Sequence, residues 1–281
     1  MREIKADKVT ATVARLCQEA NFFLPKDVYE ALRQAEKLEK SPVCKQALRQ
    51  ILANARIAKT ELMPICQDCG AMVIYLELGQ DVHIVGGDLY TAINEGVRIG
   101  YDQGYLRKSM VSHPFTLRVN TKDNTPAIIH TDIVSVDKLK IIVVPKGGGS
   151  ENVSRLFMLS PSEGWGGIID SVVTAVEEAG SNSCPPIIVG VGIGGTAEKT
   201  MELAKKSLLH KVGSHNPDRE CAGLEEELLK RINALGIGTQ GYGGTITALA
   251  VNVEVFPAHI ASLPVAVNLQ CHAARYREAV L

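Results

Sequence analysis

Apolar residues recur at helical spacing along the first sixty positions. Val9, Val13, Leu16 and Ala20 mark one face, and Val28, Leu32 and Ala35 repeat it after Pro25. Ser41-Pro42 combines a capping hydroxyl with proline at a first helical position, and Leu48, Ile51, Leu52 and Ile57 follow it. No glycine precedes Gly70. The pattern predicts a helical segment over 1–60. From Ala71 the texture turns strand-like, with β-branched and aromatic residues in Met72-Val73-Ile74-Tyr75-Leu76. Asp88 is placed to cap a helix through about Asp102, with Leu89, Ile93 and Val97 inward, and strands are expected at 115–121, 127–135 and 138–145. Ser160-Pro161 opens a helix carrying Ile168, Ile169, Val172 and Val176, which Gly180 stops. An apolar strand at 187–191 turns through Gly192-Ile193-Gly194-Gly195 into a helix at 197–210. A further helix at 223–234 and an alternating stretch at 246–256 complete the pattern. The fold class expected is mixed α/β: a helical layer, 1–60, on a glycine-rich α/β body, 61–281, with a possible division into two lobes near residue 180.

The composition suits a globular chain. Its 281 residues are 46% hydrophobic and 22% charged, enough to bury a core and too apolar for disorder. Thirty basic and 31 acidic residues leave a net charge of −1, so no field attracts nucleic acid or an anionic membrane. No apolar run approaches the roughly 18 residues of a membrane span. The charged start, Met1 to Lys8, does not read as a secretory signal, and the expected compartment is the reducing cytoplasm.

Three motifs suggest chemistry that their context does not complete. Gly190-Val191-Gly192-Ile193-Gly194-Gly195 has the G-x-G-x-x-G spacing after a strand. The acidic residue ending a second strand about 20 positions on is missing, which disfavours a nicotinamide site. An anion at the helix start and a plain tight turn are equally compatible with it. Lys146-Gly147-Gly148-Gly149-Ser150 lacks the ending of a phosphate loop, although its N–H groups suit a carboxylate. Cys66-Gln67-Asp68-Cys69 has no second pair for zinc, and it leads into a strand where a thioredoxin dithiol would lead into a helix.

The seven cysteines divide by context. Cys17 and Cys44 lie in helical patterns and are expected to pack. Cys221, beside Arg219 and Glu220, is expected to be solvent-exposed. Cys66, Cys184 and Cys271 each sit at a break in regular structure. Three thiolates at such breaks could hold a four-iron cluster with one iron open to substrate; by spacing alone, coincidence is the favoured reading.

The residues around these cysteines resemble those of the class I, iron–sulfur fumarate hydratases. Pro64-Ile65-Cys66-Gln67-Asp68-Cys69-Gly70 is similar to that family's C-Q-D-T-G signature, with Cys69 where the family usually has threonine. Cys184 to Thr196 is similar to its second cysteine segment. Gly238-Thr239-Gln240-Gly241-Tyr242-Gly243-Gly244 and Pro257 to Cys271 are similar to its third. The likeness spans roughly 60–281 and matches the alpha half of two-subunit members; the alpha subunit of L(+)-tartrate dehydratase is built alike.

The resemblance implies a hydro-lyase interconverting fumarate and (S)-malate, with tartrate dehydration to oxaloacetate as the alternative. It implies a 4Fe-4S cluster on Cys66, Cys184 and Cys271, whose fourth iron serves as a Lewis acid. It places Gln67, Arg107 and the N–H groups of Gly148 and Gly149 on the dicarboxylate, and makes Asp68 and His259 catalytic. The chain stops ten residues past Cys271. The expectation is an alpha subunit that is incomplete alone, needs a separate beta subunit, and assembles into an oligomer of alpha–beta pairs. A non-catalytic iron–sulfur carrier and a nicotinamide oxidoreductase are the competing readings.

Overall fold

The computed structural model describes residues 2–281. The elements run β1 (Arg2–Lys5), α1 (Ala6–Phe22), α2 (Lys26–Leu38), α3 (Pro42–Glu61), β2 (Ala71–Gly79), β3 (Val82–Val85) and α4 (Leu89–Gln103). There follow β4 (Val111–Ser112), β5 (Val119–Asn120), β6 (Ile128–Val134), β7 (Leu139–Lys146), the single turn α5 (Gly148–Glu151) and β8 (Arg155–Leu159). The last are α6 (Gly164–Ala179), β9 (Ile187–Gly194), α7 (Ala197–Ser207), α8 (Arg219–Ala234), β10 (Ala248–Phe256), β11 (Leu263–Gln270) and β12 (Arg277–Val280). The class is mixed α/β, as the hydrophobic pattern predicts. No helix among the described residues is long and apolar enough to cross a membrane.

The chain forms two compact units, each from separate stretches. The first comprises the chain up to Leu24, Asn54–Gly148 and Arg275–Leu281; the second comprises Pro25–Ala53 and Gly149–Ala274. No unit edge falls at residue 60 or 180, and the N-terminal helices are divided between the units.

In the first unit a sheet ordered β12-β7-β2-β6 packs against α1 and α4. Val9, Val13 and Leu16 of α1 meet Ile93, Val97 and Tyr101 of α4 and Met72, Ile74 and Ile141 of the sheet, all fully or nearly fully buried. The two helices approach closely because Gly96 and Gly100 leave room. A Cβ on either would stand under 3 Å from the α1 carbonyls of Thr10 or Ala14. Asp88 caps α4 by accepting the Thr91 N–H at 2.7 Å. The strand expected at 115–121 is reduced to the two residues of β5, because 114–117 form a turn. Phe115 and Leu117 are exposed there, so no apolar face is buried to stabilise a longer strand.

In the second unit the sheet order is β10-β9-β11-β8. One face buries Val189, Val191, Val253, Val265 and Val267 against Ile169, Val172 and Val176 of α6 and Leu224, Leu228 and Ile232 of α8. The other face takes α7. Burial on both faces explains why β9 reads as an unbroken apolar run rather than an alternation. Gly180 ends α6 with φ of 51°, and Ser160 and Glu163 form a capping box before it. Cys221 departs from its expectation: it is buried in α8, and burial pushes its thiol up to about 11.

The glycines of the G-x-G-x-x-G stretch are used for packing. A Cβ on Gly190 would lie 2.1 Å from the Ala204 carbonyl oxygen, and one on Gly192 would lie 2.2 Å from that of Thr200. Helix α7 therefore seats on bare backbone. The next parallel strand is β10, reached only after α7, a loop and α8. Gly190→Ala is expected to destabilise the chain by about 3 kcal/mol, because the obstacle is backbone and not a movable side chain. Urea unfolding would measure this, and an unchanged midpoint would contradict it.

Candidate functional site

In the first unit the loop from Cys66 to Gly70 is tied down by side chains from distant parts of the chain. The Ile65 N–H donates to the Asn21 carbonyl at 3.0 Å. The Tyr101 hydroxyl lies 2.7 Å from the Cys69 carbonyl oxygen and 3.0 Å from that of Gly70. Asn124 Nδ2 donates to the Gly70 carbonyl at 3.1 Å. Arg275, 2% exposed, donates from one amino group to the Asp68 carbonyl at 2.9 Å and from the other to Asn21 Oδ1 at 3.0 Å. Gly70 is glycine for two reasons: its φ is 76°, and a Cβ would stand 2.7 Å from the Lys146 nitrogen.

The two thiols of this loop differ. Cys69 is buried: its Sγ accepts the Arg107 N–H at 3.2 Å and donates to the Cys66 carbonyl. Burial pushes the Cys69 thiol up, opposed by that N–H and by the Arg275 charge. Cys66 is only half-buried; the Asp68 N–H points to its sulfur at 3.4 Å, and its Sγ lies 3.5 Å from Gln67 Oε1. Amide N–H groups aimed at sulfur are the interaction that stabilises metal-bound thiolates.

Asp68 is oriented through both carboxylate oxygens. Oδ1 accepts the Gly70 N–H at 2.9 Å, and Oδ2 accepts the Gly148 N–H at 2.7 Å. This changes the reading of Gly148: its N–H, expected to meet a substrate, is committed to Asp68. A Cβ on Gly147 would lie 3.2 Å from Asp68 Oδ2, so the glycine run lets main chain approach the carboxylate. Gln67 and Arg107 are exposed. The segment bearing Arg107 is fixed by Asn124 Oδ1, which accepts the N–H groups of Ser109 and Met110 at 2.8 and 3.2 Å.

In the second unit three of the quoted segments meet at one end of the sheet. Cys184 is exposed and left-handed (φ 52°) just before β9, and Cys271 follows β11. The His272 N–H donates to the Cys184 carbonyl at 3.3 Å, and His272 Nδ1 lies 3.0 Å from the same oxygen. Gln240, from the Gly238–Gly244 run, donates backbone and side-chain N–H groups to the Pro185 carbonyl at 2.9 and 2.7 Å. Gly149 belongs to this neighbourhood: it is exposed, and a Cβ on it would be 3.1 Å from the Asn182 carbonyl oxygen. The segments carrying Cys184 and Cys271 are thus clamped side by side.

His259 is not brought there. It lies before β11, while Cys271 follows it, and the seven steps from Leu263 to Gln270 span roughly 23 Å at strand rise. His259 is exposed beside a groove of about 490 Å³ lined by Met158, Gly195, Lys199 and Phe256. It belongs to the opposite end of the sheet from the cysteine pair. Among the described residues, no three His, Cys, Asp or Glu side chains are gathered in a group that could hold a metal ion. The donor chemistry nevertheless suits iron: Cys66, Cys184 and Cys271 all reach the surface, and two of their segments are clamped together. Cys17, Cys44, Cys69 and Cys221 are buried.

Sequence reasoning missed Arg275, Asn21, Asn124 and Tyr101, which hold the Cys66–Gly70 loop. They lie 31 to 254 positions from what they bind, and no local pattern marks them.

A family model described as fumarate hydratase (Fumerase) matches residues 10–280. A Methanocaldococcus jannaschii protein provisionally named L(+)-tartrate dehydratase subunit alpha is 43% identical over 273 residues, covering 95% of each chain. The Escherichia coli K12 protein named L(+)-tartrate dehydratase subunit alpha is 31% identical over 273 residues, covering 96% of this chain and 89% of its own. With a match of that extent and relatives of that identity, the chain belongs to the fumarate hydratase (Fumerase) family.

Proposed function

We propose that this chain is the alpha subunit of an iron–sulfur hydro-lyase that interconverts fumarate and (S)-malate together with a separate beta subunit. The observation that carries the reading is the Cys66–Gly70 loop: an accessible thiol, and two residues on a carboxylate held through both its oxygens. The thiolates proposed for the 4Fe-4S cluster are Cys66, Cys184 and Cys271. When bound, its open iron would supply Lewis-acid assistance to loss of the substrate hydroxyl.

The chain's own residues do the rest of what is assigned to it. Asp68, fixed by two N–H groups, is oriented to exchange a proton with the departing hydroxyl. Arg107, exposed on a pinned segment, offers the forked guanidinium that a carboxylate accepts bidentately. Gln67 and the Gly149 N–H add neutral donors for a dianion. The alpha–beta arrangement draws support from the relatives, both named as alpha subunits. A cytoplasmic location and assembly into oligomers of alpha–beta pairs go with this reading, because an open iron site survives only where thiols stay reduced.

A second reading is favoured by those same names: tartrate dehydration to oxaloacetate. The two substrates differ by one hydroxyl, so side-by-side kinetics decide. The chain, purified anaerobically alone and then with its beta-type partner, is assayed with fumarate, malate and L-tartrate. Malate dehydration only in the complex is the expected result. Full activity of the chain alone would overturn the two-subunit reading, and a higher kcat/KM for tartrate would transfer the assignment to the second substrate.

A further inference from the structure

Arg275 is the largest fully buried side chain among the described residues, 2% exposed, and makes no ion pair with any of them. Its two amino groups are spent on neutral oxygens, the Asp68 carbonyl and Asn21 Oδ1, and its Nε is buried with no hydrogen-bond partner. Asp68 makes no ion pair with it: that carboxylate is directed to the N–H groups of Gly70 and Gly148 and neutralises the guanidinium only in part, from a distance. A guanidinium out of water without a counterion is strongly unfavourable unless negative charge arrives from elsewhere. The place where it arrives is narrowed by geometry. A Cβ on Gly147 would lie 3.9 Å from an Arg275 amino group and 3.2 Å from Asp68 Oδ2. The charge therefore sits directly behind the wall formed by Cys66–Gly70 and Gly147–Gly148.

We infer that Arg275 is a positioning residue for the reaction: it holds the Cys66–Asp68 backbone and supplies a fixed, buried positive charge behind that loop, balanced more fully when anionic groups occupy its front. This rests on the dicarboxylate reading above. The anions would be the thiolate-bound cluster and the substrate dianion, on which Arg275 acts through the Cys66–Asp68 loop.

The test separates charge from scaffolding. Three variants are made in the reconstituted alpha–beta complex. Arg275→Met removes charge and hydrogen bonds. Arg275→Lys keeps the charge. Asn21→Asp keeps Arg275 in place and gives it a carboxylate partner, at the loss of the Asn21 Nδ2 bond to the Cys17 carbonyl, a loss that the melting temperature reports. Melting temperature, malate affinity by calorimetry, KM against kcat, and the cluster's reduction potential are read for each. Arg275→Met and Asn21→Asp are expected to weaken malate binding and raise KM by roughly tenfold, with kcat changed less. Both should move the potential to more negative values, because removing positive charge favours the oxidised cluster. Arg275→Lys should restore most of both quantities. A purely structural Arg275 would instead leave affinity and potential unchanged in Asn21→Asp, or make Arg275→Lys as defective as Arg275→Met; either result overturns the proposal. If Arg275→Met does not fold, Asn21→Asp and Arg275→Lys decide alone. Should the wild-type complex bind malate without turning it over, the functional reading fails while affinity and potential still judge Arg275. A complex with neither cluster nor malate binding overturns both.

Discussion

Replacing Cys66 with serine is expected to strip the alpha–beta complex of its iron–sulfur centre and to lower malate dehydration by about a thousandfold or more, the scale on which an enzyme loses a Lewis acid. Replacing Cys69 with serine is expected to leave both nearly intact. The contrast follows from where the two sulfurs lie. Cys66 is half-buried and receives the Asp68 N–H at 3.4 Å. Cys69 is 1% exposed and already placed between the Arg107 N–H and the Cys66 carbonyl. A serine hydroxyl can accept the first of these bonds and donate the second, so Cys69→Ser preserves the loop. Serine is a poor iron ligand in place of a thiolate, so Cys66→Ser removes a ligand without disturbing the fold. Iron content and visible absorbance after anaerobic purification, with the melting temperature alongside, check the pair. A Cys66→Ser complex that retains full iron, or a Cys69→Ser complex that loses it, would reverse the assignment within the pair.

That contrast also marks how far the sequence could be read. Helix boundaries that depend on local chemistry are legible: Asp88 before α4, Ser41-Pro42 before α3, and Gly180 after α6 all act where their residue types predict. The pairing of Cys184 with Cys271 was visible only as two breaks, because the clamp between them depends on a backbone bond from His272 to Cys184, 88 positions apart. Cys221 departs from its expected exposure because its polar neighbours, Arg219 and Glu220, occupy the solvent side of a helix whose other side buries Leu224 and Leu228. A short window sees the charges before it sees the period. His259 carried a motif but no position: the eight residues of β11 that follow it set it at the far end of the sheet from Cys271. The burial of Arg275 without an ion-pair partner could not be read at all, because it is a property of the folded core.

The division of the N-terminal helices has its own physical cause, and it leads to the largest stability effect expected. Glu39, 1% exposed between α2 and α3, reaches residues 206 and 207 positions away. Oε1 accepts the N–H groups of Lys40 and Ser41 at 2.7 and 2.9 Å and the Thr245 hydroxyl at 3.0 Å. Oε2 accepts the Ile246 N–H at 3.0 Å, and the Thr245 N–H lies 3.0 Å from both oxygens. A Cβ on Gly244 would stand 2.6 Å from Oε2, so glycine is required for the loop to wrap the carboxylate. This anchor makes the α2–α3 joint part of the second unit. Burial raises the pKa of Glu39, but the backbone N–H bonds outweigh it and hold the group below the ordinary carboxylate value of 4.5. Glu39→Ala removes the acceptor and leaves several buried donors unmade, which is expected to destabilise the chain by about 4 kcal/mol. Glu39→Gln keeps the shape, turns one acceptor into a donor facing N–H groups, and is expected to lower stability by about 2 kcal/mol. The pH dependence has a definite sign. A depressed folded-state pKa contributes stability that is fully present above the unfolded value near 4.5 and is lost as pH falls through the folded value. The stability gap between the wild-type chain and Glu39→Gln should therefore be widest at neutral pH and narrow in acid below about 4.5. Urea unfolding from neutral pH into acid measures that gap, and one that stays constant over the range would show that the carboxylate's charge is not what holds the joint.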